Sequence, residues 1–139
     1  MNDPRAYPAE PRLGVAVMVM RDREVLLVRR GRPPNAEWWT LPGGAVRLGE
    51  TLSQAAEREV REETGVTARA REVCHAFEVI DPDETGRIRY HYVVVVLLAE
   101  HVNGEAVAGD DVREVRWLSL TALDDPRVHP ETRALLRRL

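Results

Sequence analysis

The sequence contains a single cysteine, Cys74, and no apolar run long enough to cross a bilayer. One cysteine cannot form an internal disulfide or a zinc cluster, which is consistent with a reducing cytoplasm. The longest apolar run, residues 93–99, is far shorter than the roughly 20 residues of a transmembrane helix. Residues 1–11 carry charges and three prolines but no apolar segment, so we expect no signal peptide. These absences predict a soluble, cytoplasmic protein that has no membrane partner.

An excess of positive charge is also missing. The chain has 20 Lys and Arg against 23 Asp and Glu, and its formal net charge is −3. Because nucleic-acid-binding domains usually carry a basic excess, we expect no nucleic-acid partner and favour small molecules. The 139 residues, with 44% hydrophobic and 31% charged side chains, fit one globular domain. We predict an N-terminal arm at residues 1–12, extended or loosely ordered because of its prolines, and a single domain at residues 13–139.

Runs of β-branched and apolar residues predict a sheet. The predicted strands are residues 14–20, 24–30, 66–80 (as one or two strands), 87–100 and 115–118. Residues 93–96 lack the alternation of a half-buried strand, so we expect them to be buried on both faces. Residues 52–64 and 130–139 predict helices, the first with Thr51 or Ser53 as its N-cap. The pattern indicates an α/β (α+β) protein with a mixed sheet and few helices.

The predicted helix at residues 52–64 carries carboxylates where apolar side chains are expected. Its apolar residues lie within an arc of about 140° around the helix axis: Leu52, Ala55, Ala56 and Val60. Glu59 and Glu63 lie inside this arc, and Glu62 lies at its edge. Partial burial of such like charges costs on the order of several kcal/mol each unless cations neutralise them. Since Mg²⁺ commonly bridges carboxylates to substrate phosphates, the helix predicts a divalent metal site.

The segment before this helix favours a ligand site as well. Residues 41–44 read Leu-Pro-Gly-Gly, which predicts a sharp bend where the backbone approaches a ligand or ion closely. Glu50 lies near the helix start, where a carboxylate interacts favourably with the helix dipole. Arg58 lies between the acidic residues, so it can form an ion pair with one of them and hold the loop in register.

Together these residues resemble the Nudix box. The box is a glycine, five residues, Glu, seven residues, Arg-Glu, an aliphatic, one residue, Glu-Glu, one residue, glycine and an aliphatic. The sequence matches every fixed position: Gly44, Glu50, Arg58, Glu59, Val60, Glu62, Glu63, Gly65 and Val66. Similar stretches before and after the box extend the resemblance over most of residues 13–120. The resemblance implies an α/β/α sandwich with a central mixed β-sheet, in which the box forms a loop–helix–loop.

The resemblance also implies a chemistry. Nudix hydrolases cleave the diphosphate bond of a nucleoside diphosphate linked to another moiety, usually with Mg²⁺ or Mn²⁺. By position, Glu59 and Glu63 would be metal ligands, and Glu62 a ligand or the general base. The backbone carbonyl of Gly44 is a further candidate ligand. The other two polar box residues would mainly organise the site: Glu50 and Arg58.

Residues outside the helix complete the candidate site. Family members differ in their general base, since some use a box glutamate and others an acid from a later loop. The candidates for that later acid precede the last strand: Asp110, Asp111 (also a candidate metal ligand) and Glu114. Arg30 ends the second strand, at a position that often contacts a phosphate in relatives. Substrate contacts are also expected from the segment before the box: Trp39, Gly43 and Gly44. Several aromatic side chains could stack on a base or pack in the core: Trp38, Trp39, His75, Phe77, Tyr90 and Tyr92.

The substrate is predicted from one weak signal. Pro82 lies sixteen positions beyond Val66, and Nudix enzymes that act on ADP-ribose often carry a proline near that distance. An ordinary turn at residues 81–83 would also explain this proline. The motif expected in coenzyme A hydrolases is missing, and Asp83 stands where diadenosine polyphosphate hydrolases tend to have a tyrosine. ADP-ribose is therefore favoured, and pyrophosphohydrolysis of (d)NTPs is the alternative.

Two other functions use the same scaffold. A catalytically silent nucleotide sensor would usually lose box glutamates or carry an added DNA-binding domain, whereas this sequence keeps the glutamates and we expect no room for such a domain. An RNA-cap hydrolase should display a basic groove, which the composition does not indicate. The sequence leaves open the exact substrate, the general base, the number of metal ions and the oligomeric state, although many relatives are homodimers.

Overall fold

The computed structural model describes residues 3–33 and 35–138. Within these ranges the chain forms seven strands and two helices. The strands are β1 (Arg12–Arg21), β2 (Glu24–Arg30), β3 (Trp39–Thr40), β4 (Gly43–Ala45), β5 (Thr67–Pro82), β6 (Ile88–Asn103) and β7 (Val112–Ser119). The helices are α1 (Leu52–Thr64) and α2 (Pro130–Leu136), and neither is long and apolar enough to cross a bilayer. The predicted class, a mixed sheet with few helices, is confirmed.

The sheet forks between its first two strands. Its order is β3-β2-β1-β6-β5, with β4 added to β1 and β7 added to β2. The pair β1 and β6 is parallel, whereas the other pairs within the described residues are antiparallel. β1 and β2 pair only through Met20 with Val25 and Arg21 with Glu24. Beyond these pairs the two strands diverge. β3 then pairs with β2, whereas β4 pairs with β1. The short segment with the glycine pair therefore crosses the fork, from β3 beside β2 to β4 beside β1.

The two faces of β1 contact different helices because side chains alternate along a strand. Val15, Val17 and Val19 belong to an apolar cluster that includes the buried residues of α1. Met18 points to the opposite face and belongs to a second cluster with the buried leucines of α2. The central sheet therefore lies between two helices, as the resemblance implied for an α/β/α sandwich.

Helix α1 begins and ends where its local sequence allows. Thr51 is the N-cap, and its side chain accepts a 3.1 Å hydrogen bond from the backbone N–H of Gln54. The Gln54 side chain in turn accepts from the Thr51 N–H at 2.9 Å, which completes a capping box. Gly65 follows the helix with a φ of 72°, a left-handed conformation that glycine adopts without strain. These caps fix which residues of α1 face the sheet.

The sequence left open one or two strands at residues 66–80, and the structure has one. Two other expectations, for residues 93–96 and for the arm, are corrected. β5 is one continuous strand that runs to Pro82, and its ladder with β6 shifts register several times, which explains its irregular alternation. Of residues 93–96, Val96 is fully buried but Val93 is 37% exposed, since the apolar clusters cover β6 only from Val95 onward. The described part of the arm, residues 3–11, is neither extended nor loose. It turns through a hydrogen bond from the Ala6 N–H to the Asp3 carbonyl at 3.0 Å.

Replacing Thr51 with alanine should destabilise the protein by about 1 kcal/mol, because the N-terminal N–H groups of α1 lose their side-chain acceptor. Urea denaturation followed by circular dichroism measures this difference. Ser53→Ala is the matched control, since Ser53 is exposed within α1 and is not its cap. Equal effects of the two substitutions would contradict the capping assignment.

Candidate active site

A cavity of about 690 Å³ lies beside the sheet fork, and residues of β1, β2, β4 and α1 contribute to its wall. One part of its wall comes from Gly43, from the box and from the loop before β7. The box and loop residues are Gly44, Glu59, Glu62, Glu63, Asp110 and Asp111. Another part is basic: Arg5, Arg30, Arg32 and Arg47. Side chains of β5, β6 and α2 and the residues next to it complete the wall, including His75, Phe77, Tyr92, His129 and Arg138. The volume is in the range of small-molecule sites, which is about 300–1,000 Å³.

The glycine pair lets β4 approach both β1 and α1 closely. A Cβ atom on Gly43 would lie 2.0 Å from the Val15 carbonyl oxygen. On Gly44 it would lie 2.6 Å from the Glu59 carboxylate. The backbone N–H of Gly43 donates a 2.9 Å hydrogen bond to Glu63. The glycine pair thus brings the backbone close to β1 and to the acidic side chains of α1, while its approach to a ligand or ion stays a prediction.

Arg58 is buried and links four parts of the site. Its Nε donates to Glu50 at 2.5 Å, and its Nη2 donates to Glu50 and to the Ala45 carbonyl, both at 2.9 Å. Its Nη1 donates to Glu59 at 2.6 Å and to Glu62 at 3.3 Å. The hydrogen bonds that Arg58 donates to Glu50 raise the pKa of Arg58, and they lower the pKa of Glu50 to about 2. The predicted ion pair is confirmed, and it joins the loop to the helix.

Two box carboxylates, Glu59 and Glu63, are less well compensated than Glu50. Burial raises the pKa of Glu63 to about 8, and the charge of Glu59 adds to this shift. The hydrogen bond from Gly43 and the charge of Arg30 oppose it only in part. Burial also raises the pKa of Glu59, despite the hydrogen bond from Arg58. Two neighbouring carboxylates therefore resist ionisation in the protein alone.

The chemistry of these groups suits a hard divalent cation. The donors are carboxylate oxygens of α1 and the backbone carbonyl of Gly44, and Mg²⁺ prefers oxygen ligands. Among the described residues, no three Asp, Glu, His or Cys side chains already surround a common point in a metal-binding arrangement. Glu59 instead accepts a hydrogen bond from Arg58, and Glu63 accepts one from the Gly43 N–H. A cation beside them would supply the positive charge that their raised pKa values show to be missing.

The structure separates the candidates for the later acid. Asp110 and Asp111 line the cavity, and Asp111 forms an ion pair with Arg32 at 3.0 Å. Glu114 does not line it and instead forms an ion pair with Arg29 at 3.2 Å. The loop before β7 therefore brings two of the three acids to the box.

Trp39 lies away from the cavity, which corrects the expectation that it contacts the substrate. It is 2% exposed and packs in the cluster beneath α2, with the Arg116 guanidinium 4.7 Å from its ring. Trp38 is also outside the cavity wall and packs edge-on against His129 at 5.3 Å. One tryptophan is therefore buried and the other exposed, and neither lines the cavity.

Sequence reasoning missed several residues of the cavity wall. Arg5 comes from the arm and Arg138 from the end of the chain, next to α2. His129 precedes that helix and accepts from the Glu131 N–H at its start. No local pattern marks these residues, since their place depends on how the two ends of the chain pack on the sheet. Arg30, by contrast, was expected and does line the cavity.

A family model described as the NUDIX domain matches residues 10–139 of the chain. The chain therefore belongs to the Nudix family. It is 32% identical over 113 residues to an ADP-ribose pyrophosphatase of Methanocaldococcus jannaschii, a match that covers 81% of this chain and 64% of that protein. It is 31% identical over 134 residues to an 8-oxo-dGTP diphosphatase of Escherichia coli, covering 92% of this chain and 98% of that protein. The chain thus spans less than two thirds of the first relative.

Solved Nudix structures share this fold. A MutT Nudix hydrolase from Burkholderia pseudomallei superposes with a TM-score of 0.78 at 34% identity, covering 94% of this chain and 98% of that one. A bifunctional NMN adenylyltransferase/ADP ribose pyrophosphatase from Francisella tularensis, complexed with AMP and a manganese ion, gives a TM-score of 0.69 at 25% identity. That match covers 94% of this chain and 41% of the other. The chain therefore shares both the NUDIX domain and the fold of these Nudix proteins.

Glu50→Gln should lower the unfolding temperature at pH 7, because it removes the charge that Arg58 holds. The folded pKa of Glu50, about 2, lies below its ordinary value of 4.5. The ionised carboxylate therefore stabilises the fold above about pH 4.5, and this contribution is lost as the pH falls towards 2. Thermal unfolding of both proteins across pH 2–7 should show a difference that shrinks in this window. The control is Glu24→Gln, which removes a half-exposed ion pair with Arg21 at 3.2 Å; an equal loss there would contradict the special role of Glu50.

The two glycines should respond differently to alanine. Gly43→Ala places a methyl group against the β1 backbone, so we expect a loss of about 1–3 kcal/mol or more in urea denaturation. Gly44→Ala meets only the end of the flexible Glu59 side chain, so the fold should survive while the carboxylate moves. Calorimetric titration with Mg²⁺ should then show weaker binding by the Gly44 variant. Equal destabilisation by both, or unchanged metal binding in the second, would contradict this assignment.

Proposed function

We propose that this Nudix hydrolase uses Mg²⁺ to cleave ADP-ribose into AMP and ribose 5-phosphate. The observation that carries the proposal is the cavity itself, in which box carboxylates and arginines face one space of nucleotide size. Similarity to the Methanocaldococcus jannaschii relative, which is named an ADP-ribose pyrophosphatase, is the reason to propose this substrate before other nucleotides. The aromatic and apolar wall that includes Phe77 and Tyr92 offers a surface for a base or sugar.

The metal site of the proposal is built from α1 and β4. Glu59, Glu63 and the Gly44 carbonyl would hold the ion, with Glu62 or Asp111 as a further ligand. When bound, Mg²⁺ neutralises diphosphate oxygens and lowers the pKa of the attacking water. Mn²⁺ has the same preference for oxygen ligands and could replace it. The proposal leaves the number of ions open.

The protein residues position the reacting groups and move one proton. A diphosphate is strongly anionic, so its hydrolysis depends on positive charge and on positioning more than on covalent catalysis. Arg30, on the cavity wall, would bind a phosphate oxygen. Water attacks one phosphorus atom, its bond to the bridging oxygen breaks, and a carboxylate accepts the proton of the water. We favour Glu62 for this step, because its contacts with Arg58 and Arg47, at 3.3 and 3.4 Å, are longer than those of Glu59 and Glu63.

The alternative substrate class is the (d)NTPs. The Escherichia coli relative, an 8-oxo-dGTP diphosphatase, aligns with this chain over nearly its whole length. Pro82, the sequence signal for ADP-ribose, is exposed at the end of β5 and does not line the cavity. The choice between the two substrates therefore rests on similarity to relatives and on assay.

The purified protein should be assayed against ADP-ribose, sugar nucleotides, dGTP and 8-oxo-dGTP, with Mg²⁺, Mn²⁺ or EDTA, and the products separated by anion-exchange chromatography. We expect metal-dependent release of AMP and ribose 5-phosphate from ADP-ribose at the highest kcat/KM. Greater turnover of a triphosphate would establish the alternative. An inactive protein that still binds nucleotides in the presence of metal would instead be a nucleotide sensor.

Glu63→Gln should lower kcat for the preferred substrate by about a hundredfold or more, because it weakens a metal ligand without changing the shape of the side chain. The circular dichroism spectrum and the unfolding transition should stay close to those of the wild type. Glu114→Gln is the matched control, since it makes the same substitution at a glutamate of β7 that does not line the cavity. Near-normal turnover by the Glu63 variant would overturn the proposed metal site.

A further inference from the structure

The N-terminal arm forms part of the cavity wall. Its backbone is fixed to β6 by a 2.7 Å hydrogen bond from the Tyr7 N–H to the Arg89 carbonyl. The Tyr7 hydroxyl donates to Asp83 at 2.7 Å, in the turn between β5 and β6. The arm thereby brings Arg5 to the cavity, into a position that α1 and the box cannot reach.

The guanidinium of Arg5 is held on one edge. Its Nε and Nη2 donate to the two Asp3 oxygens at 3.1 and 2.8 Å, and Nη2 also donates to the Pro33 carbonyl at 2.6 Å. Asp3 is fixed in turn by the Tyr90 hydroxyl at 2.9 Å. Among the hydrogen bonds of the described residues, none uses Nη1 of Arg5. An arginine has five N–H donors, so this oriented group keeps two of them for a ligand.

Arg5 and Arg30 place two positive charges at the same part of the wall. Arg30 loses water on burial, which lowers its pKa, and the charge of Arg5 lowers it further. The charge of Glu63 has the opposite effect on Arg30, so the charges of both Arg5 and Glu63 act on Arg30, and all three residues line the cavity. Two crowded cations beside a cavity repel each other, and an anion bound there would relieve the repulsion. The cavity is thus acidic on the box side and basic on the arm side.

We propose that Arg5, carried by the N-terminal arm and oriented by Asp3, binds a phosphate oxygen of the substrate next to Arg30. This inference rests on the proposed function only in that the substrate carries phosphates, and it holds equally for ADP-ribose and for a triphosphate. It makes the arm a binding element of the active site. Arg5 is then a substrate-binding residue, and Asp3 is a positioning residue.

The test compares Arg5→Gln with the wild type in two measurements. In the assay with Mg²⁺, KM for the preferred substrate should rise about tenfold or more, with kcat changed far less, since a charge-assisted hydrogen bond is lost. Calorimetric titration with AMP and with ribose 5-phosphate, which cannot be hydrolysed at a diphosphate bond, should show weaker binding of at least one of them. Adenosine and ribose carry no phosphate, so their affinities should stay unchanged.

Two variants separate binding from a purely structural role of the arm. Asp3→Asn weakens the Asp3–Arg5 pair but keeps the cation, so its effect on KM should be clearly smaller than that of Arg5→Gln. Arg12→Gln removes an exposed positive charge whose described contact is with the Pro4 carbonyl at 3.4 Å, and it should leave KM unchanged.

Equal effects of the Asp3 and Arg5 substitutions, or weaker binding of adenosine as well, would overturn the inference in favour of arm packing. An unchanged KM for Arg5→Gln would overturn it while the proposed function stands. If the wild type prefers dGTP, the same comparison is made with dGTP, and only the proposed substrate fails. If the wild type neither binds nor hydrolyses any phosphorylated compound, both proposals fail.

Discussion

Arg58 and the carboxylates around it form the interaction on which the site depends. Helix α1 places three glutamates against or beside a sheet, where their burial would oppose folding. A guanidinium can hold several acceptors in one plane, and here it joins a loop carboxylate, two helix carboxylates and a strand carbonyl. The charge of one arginine is shared by three acids, so the cluster remains anionic after the fold is complete. That remaining charge is what a divalent cation can use.

The fork in the sheet sets where this cluster lies. Because β1 and β2 separate after two residue pairs, a short segment crosses between them and ends in Gly43 and Gly44. The absence of side chains at both positions lets the strand contact the β1 backbone on one side and Glu59 on the other. Backbone groups and carboxylates therefore meet at the cavity, and neither could reach it if the sheet were uniformly paired.

The part of the site that local sequence determines was predictable, and the part that depends on packing was not. Spacing along one helix and its preceding loop predicted the limits of α1, a cap at Thr51 or Ser53, and an ion pair between Arg58 and one of the nearby acids; the structure selects Thr51 and, among others, Glu50. The position of Trp39 depends on the cluster beneath α2, and that of Glu114 on its partner Arg29, so the sequence could not assign either. The prolines predicted an extended or loosely ordered arm. The sequence could not reveal the tertiary hydrogen bonds that fix it, because they leave no periodic pattern.

The separation of charge across the cavity explains why its arginines do not replace a metal. Arg30 lowers the pKa of Glu63, yet that pKa remains about 8 because burial and Glu59 outweigh the effect. At the observed arrangement each side keeps part of its charge. A diphosphate is able to satisfy both sides at once, since its oxygens can contact the arginines directly and the carboxylates through a cation.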